Sequence, residues 1–228
     1  MIRSSRSAHS ARKTALASRR VRRSAELRER LFRAALVLFG KKGYAETTVE
    51  DITEAADVGK GTFFNYFPTK EHILMAFGEM QLAKLEAIVR DAKQSDLPMQ
   101  EVLRILVLRM TEEPIRNPAI VRALLQANLS SLSVRGAMLR IHDRNRALLG
   151  QLIRHGQERS EIRTDLPPED IAQVWRQTIF GTLLFWSLAG DASLTRRIEQ
   201  SLRVLWAGIA FRPTANAAKR KKKAGDKE

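Results

Sequence analysis

Residues 59–71 read GKGTFFNYFPTKE, two glycines and four aromatic rings in little more than three helical turns. A nucleotide phosphate loop is the first reading to test. It needs Gly-x4-Gly-Lys-Ser/Thr after a buried strand. Here Gly59-Lys60 is followed by Gly61 and preceded by a helical pattern, and a dinucleotide fingerprint lacks its third glycine. The stretch fits the second half of a helix-turn-helix better. Upstream, the Thr48 hydroxyl can cap the N–H three residues on, with Asp51 reciprocating. That opens a short helix over about 48–56, followed by a turn at Asp57-Val58-Gly59 and a second short helix over 59–66 that stops at Phe67-Pro68. Ile52, Ala55 and Ala56 offer a small apolar inner face, and Phe63 and Phe67, four apart, face it.

Lys60, Thr62, Phe64, Asn65 and Tyr66 are then left pointing outward. A merely solvated face does not usually combine such polar groups with two aromatics. A groove-reading face does: lysine binds guanine edges or phosphates, threonine offers hydroxyl and methyl, and asparagine reads adenine. Gly61 lets the helix start approach the sugar–phosphate wall, where the N-terminal partial charge is favourable. Lys70 opens the next helix, where a cation opposes the dipole, so a phosphate contact explains it better.

The longer stretch LFGKKGYAETTVEDITEAADVGKGTFFNYFPTKEHIL, residues 38–74, resembles the N-terminal DNA-binding domain of the tetracycline-repressor (TetR) family. Gly43-Tyr44, Thr47-Thr48, Ile52, Ala55-Ala56, Val58, Gly61-Thr62, Tyr66-Phe67 and Lys70-Glu71 stand in family order, and the resemblance covers residues 24–74. It implies phosphate contacts from Thr48 and Lys70 and a recognition helix presenting Gly59, Lys60, Thr62, Phe64, Asn65 and Tyr66. Phe64 stands where the family often has tyrosine, which removes a hydroxyl contact to phosphate, and Tyr66 stands where histidine is common.

Charge agrees with a polyanionic partner. The 228 residues carry 40 Lys+Arg against 25 Asp+Glu, formally +15. Residues 1–23 hold eight basic residues and no acid, and residues 219–228 add a net +4, so residues 24–218 carry only +3. Residues 1–23 and 212–228 therefore read as basic, disordered arms flanking a nearly neutral body. The first is either a solubilising tail or an arm along the minor groove beside the DNA-binding helices. It is rich in Arg and Ser but is followed by no apolar segment of an export signal; a mitochondrial presequence is a minor alternative. There is no cysteine, hence no disulfide or thiolate chemistry. No apolar run reaches the roughly 18–20 residues of a membrane span, so a cytoplasmic location with no membrane partner is expected.

The rest of the chain keeps helical period, which predicts an all-α protein: a three-helix DNA-binding domain over 24–70 and a helical ligand-binding and dimerisation domain over 71–211. The first helix should bury Leu27, Leu31, Ala34, Ala35 and Leu38, with Gly43 as its left-handed C-cap. Later helices are expected from about 69 to 93, 96 to 113, from Pro118, over 134–160, from Pro167-Pro168 to about 189, and over 193–211, with 44–48 and 161–166 the only extended pieces. The helix carrying Phe180, Leu184 and Trp186 is apolar nearly all round. The last helix repeats Leu194, Ile198, Leu202, Leu205 and Ile209. Both suggest burial against a second copy, as the resemblance also implies, the alternative being an ordinary monomer core. Polar groups on apolar stripes, with Met and aromatic neighbours, mark Met110, Asn128, Met138, His142, Asn145, Trp175 and Thr178 as candidate lining for a small hydrophobic effector.

Three functions compete. A ligand-responsive regulator, most simply a homodimeric repressor on a palindromic operator, uses every feature above. An architectural nucleoid protein binding through its tails has no need of an ordered recognition face. An enzyme lacks a convincing constellation: the four histidines include only His155 and Glu158 at helical spacing, so no catalytic residue, cofactor or metal is expected.

Overall fold

The computed structural model describes residues 4–189 and 193–211; the C-terminal lysine-rich tail, 212–228, lies outside the described residues. Among the described residues there are nine helices and no strand. They are α1 (Ser4–Lys42), α2 (Val49–Ala55), α3 (Lys60–Tyr66), α4 (Glu71–Ala92), α5 (Met99–Arg116), α6 (Ala119–Ser130), α7 (Leu132–Glu158), α8 (Pro168–Ala189) and α9 (Leu194–Ile209). Helix α1 begins at Ser4, so residues 4–23 are helical where the charge pattern suggests a disordered arm. The backbone divides into two compact units, Met1–Leu74 and Met75–Glu228.

In the first unit, α1 buries Leu31, Phe32, Ala35, Leu36 and Phe39. The stripe is rotated by one position from the expected set, and Leu27, Ala34 and Leu38 lie half-buried at its edge. The reason is size: Phe32 and Phe39 remove more apolar surface than Ala34 would. Gly43, at φ 88°, ends the helix in the left-handed region that favours glycine. The chain then turns so that the buried Tyr44 ring meets Phe39 edge-on at 5.2 Å. The short α2 and α3 owe their existence to packing rather than length. Ile52, Phe63 and Phe67 are fully buried and Ala56 is buried as expected, whereas Ala55, also expected inside, is exposed and Thr53 is buried.

The second unit packs α7 against α8, and α8 against α9, around Leu103, Leu106, Leu152, Ile153, Ile171 and Trp175. Gly156 makes one approach possible: a Cβ there would lie 2.6 Å from Ile162 Cδ1. Of the expected extended piece 161–166, Ile162 forms an isolated antiparallel bridge with Ala210, and 164–166 are bends. Arg163 N–H donates to the Ile209 carbonyl at 2.8 Å and Phe211 N–H to the Glu161 carbonyl at 2.9 Å, tying the end of α9 down. The predicted break before Pro114 does not occur; α5 continues to Arg116. Proline has no N–H for the carbonyl four residues back, Met110. The Gln81 side-chain amide donates to that carbonyl at 2.8 Å instead, which removes much of the cost of a buried proline in mid-helix.

Candidate functional site

The first unit presents a surface around α3. Its scaffold is heavily fixed. The capping box is complete: Asp51 N–H donates to Thr48 Oγ1 at 3.1 Å, and Thr48 N–H donates to Asp51 Oδ2 at 2.7 Å. Lys42 pairs with the same carboxylate at 2.5 Å. Hydrogen bonding from Lys42, then from Thr48, holds the Asp51 carboxyl far below the ordinary aspartate range. At the other end of α2, Arg30 Nε donates to the Ala56 carbonyl at 3.1 Å and Arg30 Nη2 to Asp57 at 2.9 Å. Asp57 occupies the left-handed region at φ 50°. An arginine on α1 thus satisfies the carbonyls left open at the turn between α2 and α3. Nothing in the spacing of α1 announces Arg30; its role depends on where the turn comes to lie.

With Phe63 and Phe67 inside, Gly59, Lys60, Gly61, Phe64 and Asn65 are exposed and Thr62 and Tyr66 half-buried. Phe64 is 47% exposed, and its ring stands edge-on to Phe63 at 5.4 Å. A side chain at Gly59 or Gly61 would meet no protein atom within 4 Å, and neither glycine has a positive φ. The fold itself therefore has no use for them. Thr48 is exposed beside the same surface. Lys60 pairs with Glu50 of α2, a solvent-exposed contact that is weak and easily exchanged for a phosphate.

Lys70 has contacts within the chain that its spacing does not announce. Its Nζ donates to the carbonyls of Tyr44, Ala45 and Thr47 at 2.9, 3.0 and 3.0 Å, and lies 4.7 Å from the centre of the Tyr44 ring. All three of its N–H donors serve the loop between α1 and α2. The neighbouring Glu71 accepts from the Tyr44 hydroxyl at 2.9 Å. Burial, reinforced by Glu71, drives the Tyr44 hydroxyl well above its usual value, so it stays protonated and keeps donating.

The second unit contains a cavity of about 200 Å³ among α4, α5, α6, α7 and α8. Met110, Met138, His142, Asn145 and Trp175 of the expected lining are brought together there. Asn128 and Thr178 are not. Each turns its side chain back on its own helix, Asn128 to the Leu124 carbonyl at 2.8 Å and Thr178 to Val174 at 2.9 Å. The spacing rule placed them on the correct helices but could not show this back-bonding. Sequence reasoning missed Phe77, Gly78 and Gln81 from α4 and Arg176 from α8. Gly78 was visible as a mid-helix glycine: a Cβ there would lie 2.9 Å from Ile141 Cδ1 and 3.3 Å from Met138 Cε. Burial, then the Arg176 charge, hold His142 below the ordinary histidine value against the opposing Asp143, which favours its neutral form.

The expected dimer residues separate into two groups. Leu194 and Ile198 belong to the core of this unit, and Trp186, Leu202, Leu205 and Ile209 are half-buried against it, as is Leu183. Leu184 is half-buried and Phe180 lines the cavity. Of the expected set only Phe180 is left exposed; the other large apolar side chains exposed on α8 and α9 are Val174, Phe185, Leu188 and Val204, with Phe185 at 68% and Val204 at 73%. No described helix is long and apolar enough to cross a membrane.

The family described as bacterial regulatory proteins, tetR family, matches residues 31–77. The repressor DhaR of Mycobacterium sp. strain GP1 is 31% identical over 152 residues, 64% of this chain and 75% of that protein. The repressor KstR of Mycolicibacterium smegmatis is 26% identical over 187 residues, 79% and 87% of the two chains. Among solved structures, the Thermus thermophilus repressor FadR in complex with lauroyl-CoA is 30% identical with a TM-score of 0.60, covering 82% of this chain and 97% of its own.

Proposed function

The chain belongs to the TetR family of DNA-binding transcriptional regulators, and on that premise we propose that it is a homodimeric repressor that leaves its operator when a largely apolar small molecule enters the cavity of the second unit. The observation that carries the reading is the α3 surface. Lys60, Thr62, Phe64, Asn65 and Tyr66 share it with two glycines that the fold does not need, beside a turn fixed by Thr48, Asp51 and Arg30. Such a surface is built to meet the edges of bases rather than water.

Two copies supply the two-fold symmetry of a palindromic operator. The exposed apolar side chains of α8 and α9 favour pairing through those helices, because burying large apolar side chains removes them from water. In this account residues 24–70 read DNA and residues 71–211 bind ligand and partner. Helix α4 starts at Glu71 and contributes Phe77, Gly78 and Gln81 to the cavity wall, so a ligand that reorders this wall acts on the helix that continues from the DNA-reading unit. Release requires the ligand to bind the DNA-incompetent state more tightly. The lauroyl-CoA held by the T. thermophilus relative favours an effector with an extended apolar part, as does the Met- and aromatic-rich lining here. The test is binding of purified protein to random duplex DNA at physiological salt. Enrichment of an inverted repeat, two protomers per site, supports the reading; length-dependent binding with no enriched sequence opposes it.

A further inference from the structure

Gln81 Oε1 and Arg176 Nε are buried side-chain atoms with no hydrogen-bond partner among the described residues, and both residues line the same cavity. Burying a polar atom without a partner is costly, and a cationic one more so. The cavity lining contains no Asp or Glu, so nothing in its wall offsets the guanidinium. His142, on the facing stretch of α7, supplies no negative charge. Burial first, and the Arg176 charge second, hold it toward the neutral form against Asp143. Gln81 has its own task, since its Nε2 donates to the Met110 carbonyl beside Pro114, while its oxygen is an acceptor with no donor beside it. Apart from Asn145 the remaining wall is apolar, with Met138, Trp175 and Ile179 buried.

A wall of this kind, with one arginine whose Nε is buried and unpaired, fits a specific ligand chemistry. We propose that the effector is a predominantly apolar carboxylic acid, bound as its carboxylate to Arg176, with its hydrocarbon part along Met110, Met138 and Trp175. A carboxylate oxygen accepts from Arg176 Nε in a charge-assisted hydrogen bond. Gln81 Oε1 then accepts from a hydroxyl or N–H carried elsewhere on the ligand. The volume, about 200 Å³, exceeds the ~150 Å³ apolar cavity that holds benzene and suits a medium-length chain. This inference rests on the reading that the cavity takes the effector. It narrows the ligand to a free acid, whereas a coenzyme A thioester would bring its negative charge far from the carbonyl.

The test is calorimetric titration of the full chain with decanoate, decan-1-ol and decanoyl-CoA, using wild type, Arg176→Gln and Arg176→Lys. Wild type should bind decanoate about tenfold or more tightly than decan-1-ol, the difference made by one charge-assisted pair. Arg176→Gln should bring that ratio close to one while leaving decan-1-ol binding intact, which also shows that the cavity is still folded. Arg176→Lys should retain part of the preference. Equal binding of acid and alcohol by wild type, an acid preference that survives Arg176→Gln, tightest binding of decanoyl-CoA without regard to Arg176, or no binding of any of the three would overturn the proposal. Binding to selected operator DNA is measured on the same unliganded samples. If wild type binds no operator, the regulator reading fails; if it binds operator but shows no acid preference, only the present proposal fails.

Discussion

The Lys70 ammonium donates to the Thr47 carbonyl at 3.0 Å, and with Tyr44 and Ala45 it closes the loop that leads into α2. A residue that the family resemblance assigns to DNA phosphate is thus occupied in holding the DNA-reading unit together. Lys70→Met should lower the unfolding free energy by about 1–3 kcal/mol, the cost of leaving partly buried carbonyls without their charged donor. Thermal unfolding followed by circular dichroism checks this. An unchanged melting temperature with weakened DNA binding would return Lys70 to a purely phosphate-contacting role.

Gly61 lies within α3 with open space where a side chain would be. Gly61→Ala should therefore raise stability, by up to about 1 kcal/mol from helix propensity alone. The same methyl would stand between α3 and the DNA, and operator affinity should fall about tenfold or more, one steric contact at a closely packed interface. Fluorescence anisotropy on operator DNA reads the second effect; equal affinity would mean that the DNA does not approach this glycine.

The Asp51 carboxylate caps α2 and pairs with Lys42, and its folded-state pKa is strongly depressed. The sign follows directly. The unfolded chain takes up the proton first, near pH 3.9, so the stabilisation is fully present above that value and is lost as pH falls toward the folded pKa. Asp51→Asn should be less stable at neutral pH and lose less stability between pH 5 and about 2. Parallel acid limbs for the two proteins, measured by urea unfolding across that range, would contradict the assignment.

Val204 on α9 is 73% exposed, whereas Ile198 one face away is buried in the core of its own unit. Val204→Arg should give a monomer by analytical ultracentrifugation with little loss of helicity. Ile198→Ala should lower stability by about 2–5 kcal/mol, as cavity-forming substitutions do. A dimer that survives Val204→Arg would place the interface elsewhere.

Residues 1–23 carry eight basic side chains and α1 is helical from Ser4. Deleting residues 1–22 should flatten the dependence of log affinity on log salt by roughly 0.9 for each phosphate contact removed. Operator preference should be retained, because such contacts position rather than specify. An unchanged slope would remove the arm from the interface.

Much of this was legible because the decisive signals are local. Gly43 as a left-handed cap, the Thr48–Asp51 box and the Phe63/Phe67 spacing each follow from a few neighbouring residues, and each is found. What was missed depends on distant partners. Pro114 stays inside α5 because Gln81, on another helix, supplies the missing donor. The apolar repeat of α9 correctly marks a buried face, but periodicity cannot say whether that face meets its own core or a second copy. Arg30 and Arg176 carry no local signal; their roles depend on where the turn after α2 and the cavity wall come to lie.

The central claim, that the α3 surface reads DNA sequence, is tested most directly by selecting bound fragments from random duplex DNA. Wild type and Lys60→Ala/Asn65→Ala are compared at physiological salt. The account predicts one inverted repeat enriched by wild type and lost in the variant, with weak nonspecific binding retained by both. The same enriched site in both, or none in either, would contradict it.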